Sequence, residues 1–248
     1  MAAVRERYFD RYLSESEGPL LSLVFVLPLA IAYEVANRGY LGAMVGAGPG
    51  EQLVAFSLLR RGFDAVSATG AMLPALAMVA CLLGWHVGQR RPWTIRPQYL
   101  FGMGLEASAL AIPAVAAALL LTRYVPWAAT TPEIEPTRLA TLAIGAAVYE
   151  ELIFRLVGFA LIHGVTVDVL GLNRRFGGIV TVLLTSLLFA AYHYLGQETF
   201  EWPYFVFRLL AGVFLGCIFM VRGFGITVGC HAAYDLLWVA AVRQQIAA

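Results

Sequence analysis

Apolar residues in this chain are grouped in long blocks, separated by short polar stretches that concentrate arginine, proline and glycine. Residues 1–18 are polar and of mixed charge. The first apolar run then extends from Pro19 to Ala36. Ala30-Ile31-Ala32 resembles a signal-peptide cleavage site, but the leading segment is long and half acidic and further runs follow, so a retained helix is expected. Residues 37–71 form a long connection. Within it Leu53–Leu59 is apolar but is closed by Arg60 and Arg61, too short to span and expected to be interfacial or re-entrant. Further spans are expected over 72–87, 100–121, 139–162, 179–195, 204–221 and 226–242, with a polar loop at 171–178. The fold class that follows is an all-α integral membrane protein, a bundle of about seven to eight transmembrane helices.

Several ionisable residues interrupt these apolar runs. Glu150, Glu151 and Arg155 lie in the fourth span, His193 in the fifth, and His231 and Asp235 in the seventh. A charge at the centre of a span costs several kcal/mol on insertion, so each must face the protein interior or a wet cavity. At 100° per residue Glu151 and Arg155 share a helix face, in the order that favours an ion pair. Glu150 is turned about 100° from Glu151 and about 140° from Arg155, which leaves it to face a cavity without its own cation. His231 and Asp235 are again four apart, as are Phe189 and His193. Buried ion pairs and hydrogen-bonded histidines are ordinary packing devices when single. Two histidines with a paired glutamate, on three spans within about ninety residues, point instead to general-base chemistry.

Glu106 and Arg208 are expected to pair across helices. Glu34 is expected to snorkel or pair, and His86 and His163, near span ends, are read as structural. Gly212 and Gly216 form a small-residue face suited to close helix packing.

Composition sharpens the membrane assignment. Charged residues are 13% of the 248, about half of what a soluble domain uses to cover its surface, while apolar residues are 60%. The formal net charge of +1 gives no field for nucleic acid. With the N-terminus inside, inner segments carry nine arginines against six outside, the orientation that the arginine bias favours. Cys81, Cys217 and Cys230 lie in apolar stretches, are expected to be buried, and have no CxxC spacing, so neither a disulfide framework nor a thiolate zinc site is expected.

No HExxH helix, GxSxG elbow or glycine-flanked intramembrane serine is present, and Asp235 has no second intramembrane aspartate to pair with. Two alternatives remain open beside a glutamate-dependent protease. One is a metal-dependent membrane protease that uses the same residues to hold zinc. The other is a non-catalytic immunity or scaffold membrane protein in which the cluster stabilises the bundle. A transporter is disfavoured by the lack of an inverted repeat.

Glu150-Glu151-Leu152-Ile153-Phe154-Arg155 resembles the EExxxR motif of the CPBP family of CAAX proteases and bacteriocin-processing enzymes, also called the Abi family. Phe189-Ala190-Ala191-Tyr192-His193 resembles its FxxxH motif, and His231-Ala232-Ala233-Tyr234-Asp235 its closing HxxxN/D motif. Arg208 to Gly216 is similar to the family's glycine-bearing segment. The resemblance covers about 138–242 and implies a protease core there, with 1–137 contributing accessory helices and the interfacial segment. It implies that Glu150 and His193 activate water while His231 and Asp235 support the oxyanion, with Glu151, Arg155 and Phe189 in supporting places. An ionised aspartate cannot donate to an oxyanion, so Asp235 would orient His231 or act protonated. No cofactor is expected under this reading, zinc belonging to the metal-dependent alternative. The expected partners are a membrane-associated protein or peptide substrate and the lipid bilayer. The expected setting is a multi-pass location, as in a bacterial inner membrane.

Overall fold

The structure is a computed structural model and describes residues 2–38, 53–65, 72–124, 136–195 and 199–247. The described residues are almost entirely helical, with no strand among them. A polar helix α1 (Ala2–Ser16) leads into α2 (Pro19–Arg38). Three helices follow: α3 (Val54–Ala65), α4 (Leu73–Gln89) and α5 (Pro97–Tyr124). The next run begins as α6 (Pro136–Glu151) and widens into a π-helical turn (Leu152–Val157). It continues through α7 (Gly158–His163) and a second π-turn (Gly164–Val169). Then come α8 (Arg174–Tyr192), a 3-10 turn (His193–Leu195) and α9 (Trp202–Ala247).

Five of these helical runs are long and apolar enough to cross a membrane, and α4 is a shorter apolar helix. The chain is a multi-pass integral membrane protein. Its helices are apolar on their outer faces as well as their inner ones, as lipid contact requires. Along α5, Met103, Ala107 and Ala111 are buried while Phe101, Leu105 and Ile112 are exposed on the opposite side.

Some expected boundaries shift. The segment at 171–178 is not all loop, because Asn173 accepts a hydrogen bond from the Phe176 N–H at 2.9 Å and starts α8 there. The fourth span runs on to Val169 through two π-turns, and no residue type in the sequence announces a π-turn. The apolar piece near 53–59 is the start of α3, whose 12 residues reach about 18 Å, short of a bilayer. Cys81 and Cys217 are exposed on the outer surface rather than buried, whereas Cys230 is buried.

The expected sixth and seventh spans form one helical run that breaks at Gly223, where φ is 74° and ψ is −177°. The Phe207 and Tyr234 rings meet at 6.2 Å, so the two arms of α9 fold back on each other around that residue. A Cβ at Gly223 would sit 2.8 Å from the Glu17 carbonyl oxygen, so the turn is also pressed against the α1–α2 junction. Next to it, Arg222 donates from Nε to Glu106 Oε1 at 2.6 Å, from Nη2 to Ser16 Oγ at 2.7 Å and from Nη1 to Glu17 Oε1 at 3.1 Å. Tyr12 Oη completes this network on Glu106 Oε2. Burial, reinforced by the Glu106 carboxylate, raises the Tyr12 pKa, which keeps the phenol a donor. The expected partner of Glu106 was Arg208. Arg222 takes that place because the Gly223 turn brings it against α5, whereas Arg208 lies about 22 Å back along the first arm.

The backbone at Gly223 is one that L-residues adopt only under strain of about 1–3 kcal/mol. Gly223→Ala is therefore expected to lower the thermal midpoint in detergent. Gly84→Ala, where a Cβ meets nothing within 4 Å, should leave it near the parent value. Equal midpoints for the two variants would remove the structural role assigned to this turn.

Candidate active site

The polar side chains of three separated segments meet where α6, the end of α8 and the second arm of α9 converge. Glu151 and Arg155 are fully excluded from solvent, with Arg155 Nε 3.2 Å from Glu151 Oε2. The Arg155 charge is shared with two further groups. Nη2 donates to the Gly212 carbonyl at 3.0 Å, and the guanidinium carbon lies 4.7 Å from the centre of the Phe189 ring. Gly212 allows this approach because a Cβ there would lie 3.0 Å from the Ser186 Cβ. The first arm of α9 thus packs on α8 through Gly212 and Gly216, as the small-residue spacing predicts.

The second oxygen of Glu151 holds His231, whose Nδ1 lies 2.8 Å from Glu151 Oε1. Its Nε2 is then directed towards Asp235 Oδ2 at 3.5 Å and Glu150 Oε2 at 3.9 Å. An ionised Glu151 only accepts, so Nδ1 is the donor in that contact. His193 shows a related arrangement: its Nδ1 is 2.7 Å from the Phe189 carbonyl oxygen, an obligate acceptor. Nδ1 therefore carries the proton and a neutral His193 keeps Nε2 as an acceptor.

Glu150 is buried and turned away from Arg155, as the helical offset predicts. Its Oε1 accepts a hydrogen bond from the Tyr192 hydroxyl. Glu150, His193, His231 and Asp235 all line a single cavity of about 240 Å³, which Glu151 and Arg155 do not line. Its remaining walls are mostly apolar and aromatic, with Phe189, Phe207, Phe214 and Trp238 among them. At 1.5 Å per residue His231 and Asp235 lie about 12 and 18 Å beyond Gly223, near the middle of a hydrocarbon layer about 30 Å thick.

Two groups escaped sequence reasoning. Tyr192 is three residues after Phe189, a spacing that puts both on one helix face, and that was the available signal. Arg208 also lines the cavity and stands 5.5 Å over the Tyr194 ring, a position that depends on the fold-back of α9. Glu34 does pair: it accepts from the Tyr149 hydroxyl at 2.5 Å, one residue from Glu150.

Fold and site together define a multi-pass helical membrane protein with an acid–histidine cluster enclosed at mid-depth. Residues 132–237, somewhat under half of the 248, match the family described as Type II CAAX prenyl endopeptidase Rce1-like. That segment carries the four motifs discussed above, so this part of the chain is similar to that family of CAAX proteases. No curated protein and no solved structure matches the chain.

The two glutamates should separate on substitution. Glu151→Gln leaves Arg155 as an uncompensated buried cation and removes a carboxylate from His231, with an expected loss of about 3–5 kcal/mol. Glu150→Gln keeps an acceptor for Tyr192 and should change stability little. Thermal melts in detergent check this, and equal destabilisation by both would contradict the division.

Proposed function

We propose that this chain is an intramembrane endopeptidase that hydrolyses a peptide bond of a membrane-associated protein or peptide with water activated by Glu150 and His193. The observation that carries the reading is that Glu150 is turned from the one buried arginine of its helix and opens onto the cavity it shares with His193. The family match over 132–237 supports the hydrolase class.

In this reading a water held between the Glu150 carboxylate and His193 Nε2 loses a proton to Glu150 as it attacks the peptide carbonyl. The proton passes on to the leaving nitrogen. His231, fixed from behind by Glu151 and oriented by Asp235, presents Nε2 to the oxyanion in its imidazolium form. Asp235 thus acts through His231, which answers how a residue that cannot donate when ionised fits beside an oxyanion. Tyr192 holds Glu150 in one rotamer. Residues 138–242 are the protease core in this reading, and 1–137 contribute accessory helices, of which α5 lines the cavity through Ala114, Ala118 and Leu121.

Zinc is the alternative for the same residues. His231 Nδ1 is already committed to Glu151 and His193 Nδ1 to a carbonyl. Among the described residues no three His, Cys, Asp or Glu side chains are arranged to hold a metal ion. Both histidines keep Nε2 for the cavity, an arrangement that a metal-ligating histidine also has, so chelator treatment is what separates the two mechanisms.

Glu150→Gln is expected to lower turnover by at least about 10²-fold, the scale of general-base contributions, with the protein still folded and inserted. Comparing the membrane proteome of cells carrying that variant with the parent should reveal the accumulated substrate. Retained turnover in a folded Glu150→Gln protein would eliminate the mechanism. Purified active protein should also keep its turnover after chelator treatment. About one zinc per chain, lost together with activity, would establish the metal-dependent alternative instead.

A further inference from the structure

A second polar cavity lies at the far end of α2 from the acid–histidine cluster. Gly18 and Glu34 are about 24 Å apart along that helix, and Glu34 is the residue bonded to Tyr149 beside Glu150. The cavity has a volume of about 290 Å³ and is enclosed by the end of α1, the start of α2 and the segment that follows α4. Three features of its wall converge on one ligand chemistry.

The first is the N-terminus of α2. The Ser22 N–H donates to the Gly18 carbonyl at 3.0 Å, so Gly18 is the N-cap and Pro19, with no N–H, the first helical residue. The N–H groups of Leu20 and Leu21, both on the cavity wall, have no acceptor within the helix, and the positive end of the helix dipole points the same way.

The second is His86. It is 2% exposed and lines the cavity, yet neither ring nitrogen has a hydrogen-bond partner. Its ring is held edge-on to Trp93 at 4.5 Å, so it is oriented by packing. A buried imidazole with both nitrogens unanswered calls for a partner, a water or an ion among them.

The third is Arg91. Its Nη1 donates to the Ser14 carbonyl at 3.0 Å and would stand 3.3 Å from a Cβ at Gly18, so the guanidinium is held against the start of α2. The guanidinium thus sits between the last-turn Ser14 carbonyl of α1, which holds it, and the N–H groups at the start of α2, so an anion placed there meets both the cation and those donors. Glu15 also lines the cavity, but its carboxylate lies 3.5 Å from Arg96 Nε, which answers that charge. Thr94 adds a hydroxyl on the same wall.

We propose that this cavity binds an anionic phosphate group, received by the Leu20 and Leu21 N–H groups, the Arg91 guanidinium, His86 and the Thr94 hydroxyl. Both neighbouring helices stop here, since α2 starts at Pro19 and α4 ends at Gln89, so the cavity stands at headgroup level. Trp93 and the arginines at 90, 91 and 96 are the residue types that mark that level. The phosphodiester of a phospholipid and free inorganic phosphate share the required chemistry. The site is independent of the proteolytic reading.

The test uses the full chain in phosphate-free detergent with its histidines labelled at Cε1; there are four, and the His86 signal is the one lost in His86→Gln. Dihexanoyl phosphatidylglycerol, inorganic phosphate and dihexanoylglycerol are titrated separately. The His86 signal is expected to move and saturate with a phosphate-bearing probe while those of His193 and His231 stay in place. Movement with both phosphate probes at similar midpoints assigns free phosphate as a sufficient ligand, and movement with the lipid alone assigns the headgroup. Arg91→Gln should raise the midpoint at least tenfold, with unmoved His193 and His231 signals reporting an intact fold. If that variant does not fold, Thr94→Val is read in its place, with a rise of at least threefold. The proposal is overturned if His86 responds to neither phosphate probe or responds equally to dihexanoylglycerol. It is also overturned if the variant midpoint stays within twofold of the parent.

Discussion

The ion pair between Glu151 and Arg155 is the constraint around which the C-terminal half is assembled. Both side chains are wholly excluded from solvent in the middle of an apolar bundle, where neither charge can stand alone. Each therefore draws further groups to itself. Arg155 takes the Gly212 carbonyl and the Phe189 ring, which ties α6 to the first arm of α9 and to α8. Glu151 takes His231, which ties α6 to the second arm of α9. Four helical segments are thus joined through two adjacent charges, and a shift of any one of them would expose a charge to hydrocarbon.

That commitment is what gives its neighbour a different character. Because Glu151 absorbs Arg155, Glu150 is left with the Tyr192 phenol, the cavity and His231 Nε2 at 3.9 Å in place of the guanidinium. His231 is likewise fixed by Glu151 at one nitrogen, so its other nitrogen has a defined direction between Glu150 and Asp235. A rigid pair behind the site orients the groups in front of it, as the proposed water activation requires. The π-turn at Leu152–Val157 lies directly under this cluster, with the Gly158 N–H reaching the Ile153 carbonyl five residues back. Such turns often accompany functional side chains, because they reset the angular offset between the residues before and after them.

A second set of charges closes the other end of the bundle. Arg222, Glu106, Glu17, Ser16 and Tyr12 join α1, α5 and the Gly223 turn, and that turn brings the two arms of α9 together. The mid-bundle cluster and this end network are joined by the second arm of α9, which runs from Gly223 to His231 and Asp235. The N-terminal helices contribute to the same core: Tyr33 on α2 packs against Tyr149 at 5.4 Å and against Phe56 on α3. The described helices before residue 138 and the motif-bearing segment therefore share a continuous interior.

The sequence by itself determined the membrane class, the number of apolar runs and the in-helix relations Glu151–Arg155, His231–Asp235 and Phe189–His193. Each of these depends on helical periodicity or on the cost of charge in lipid, and both can be read from one-dimensional spacing. It also determined that Glu150 would point away from Arg155, since an angular offset within one helix needs no knowledge of its neighbours. The pairing of Glu106 was beyond it, because Arg208 and Arg222 are equally plausible from spacing and only the reversal at Gly223 selects Arg222. The bond of His231 to Glu151 joins positions 80 residues apart, and the hydroxyl of Tyr192 reaches Glu150 across 42. Contacts of that separation are set by how helices rotate and cross when their small residues and buried charges are satisfied together. That collective condition exists only in the assembled bundle.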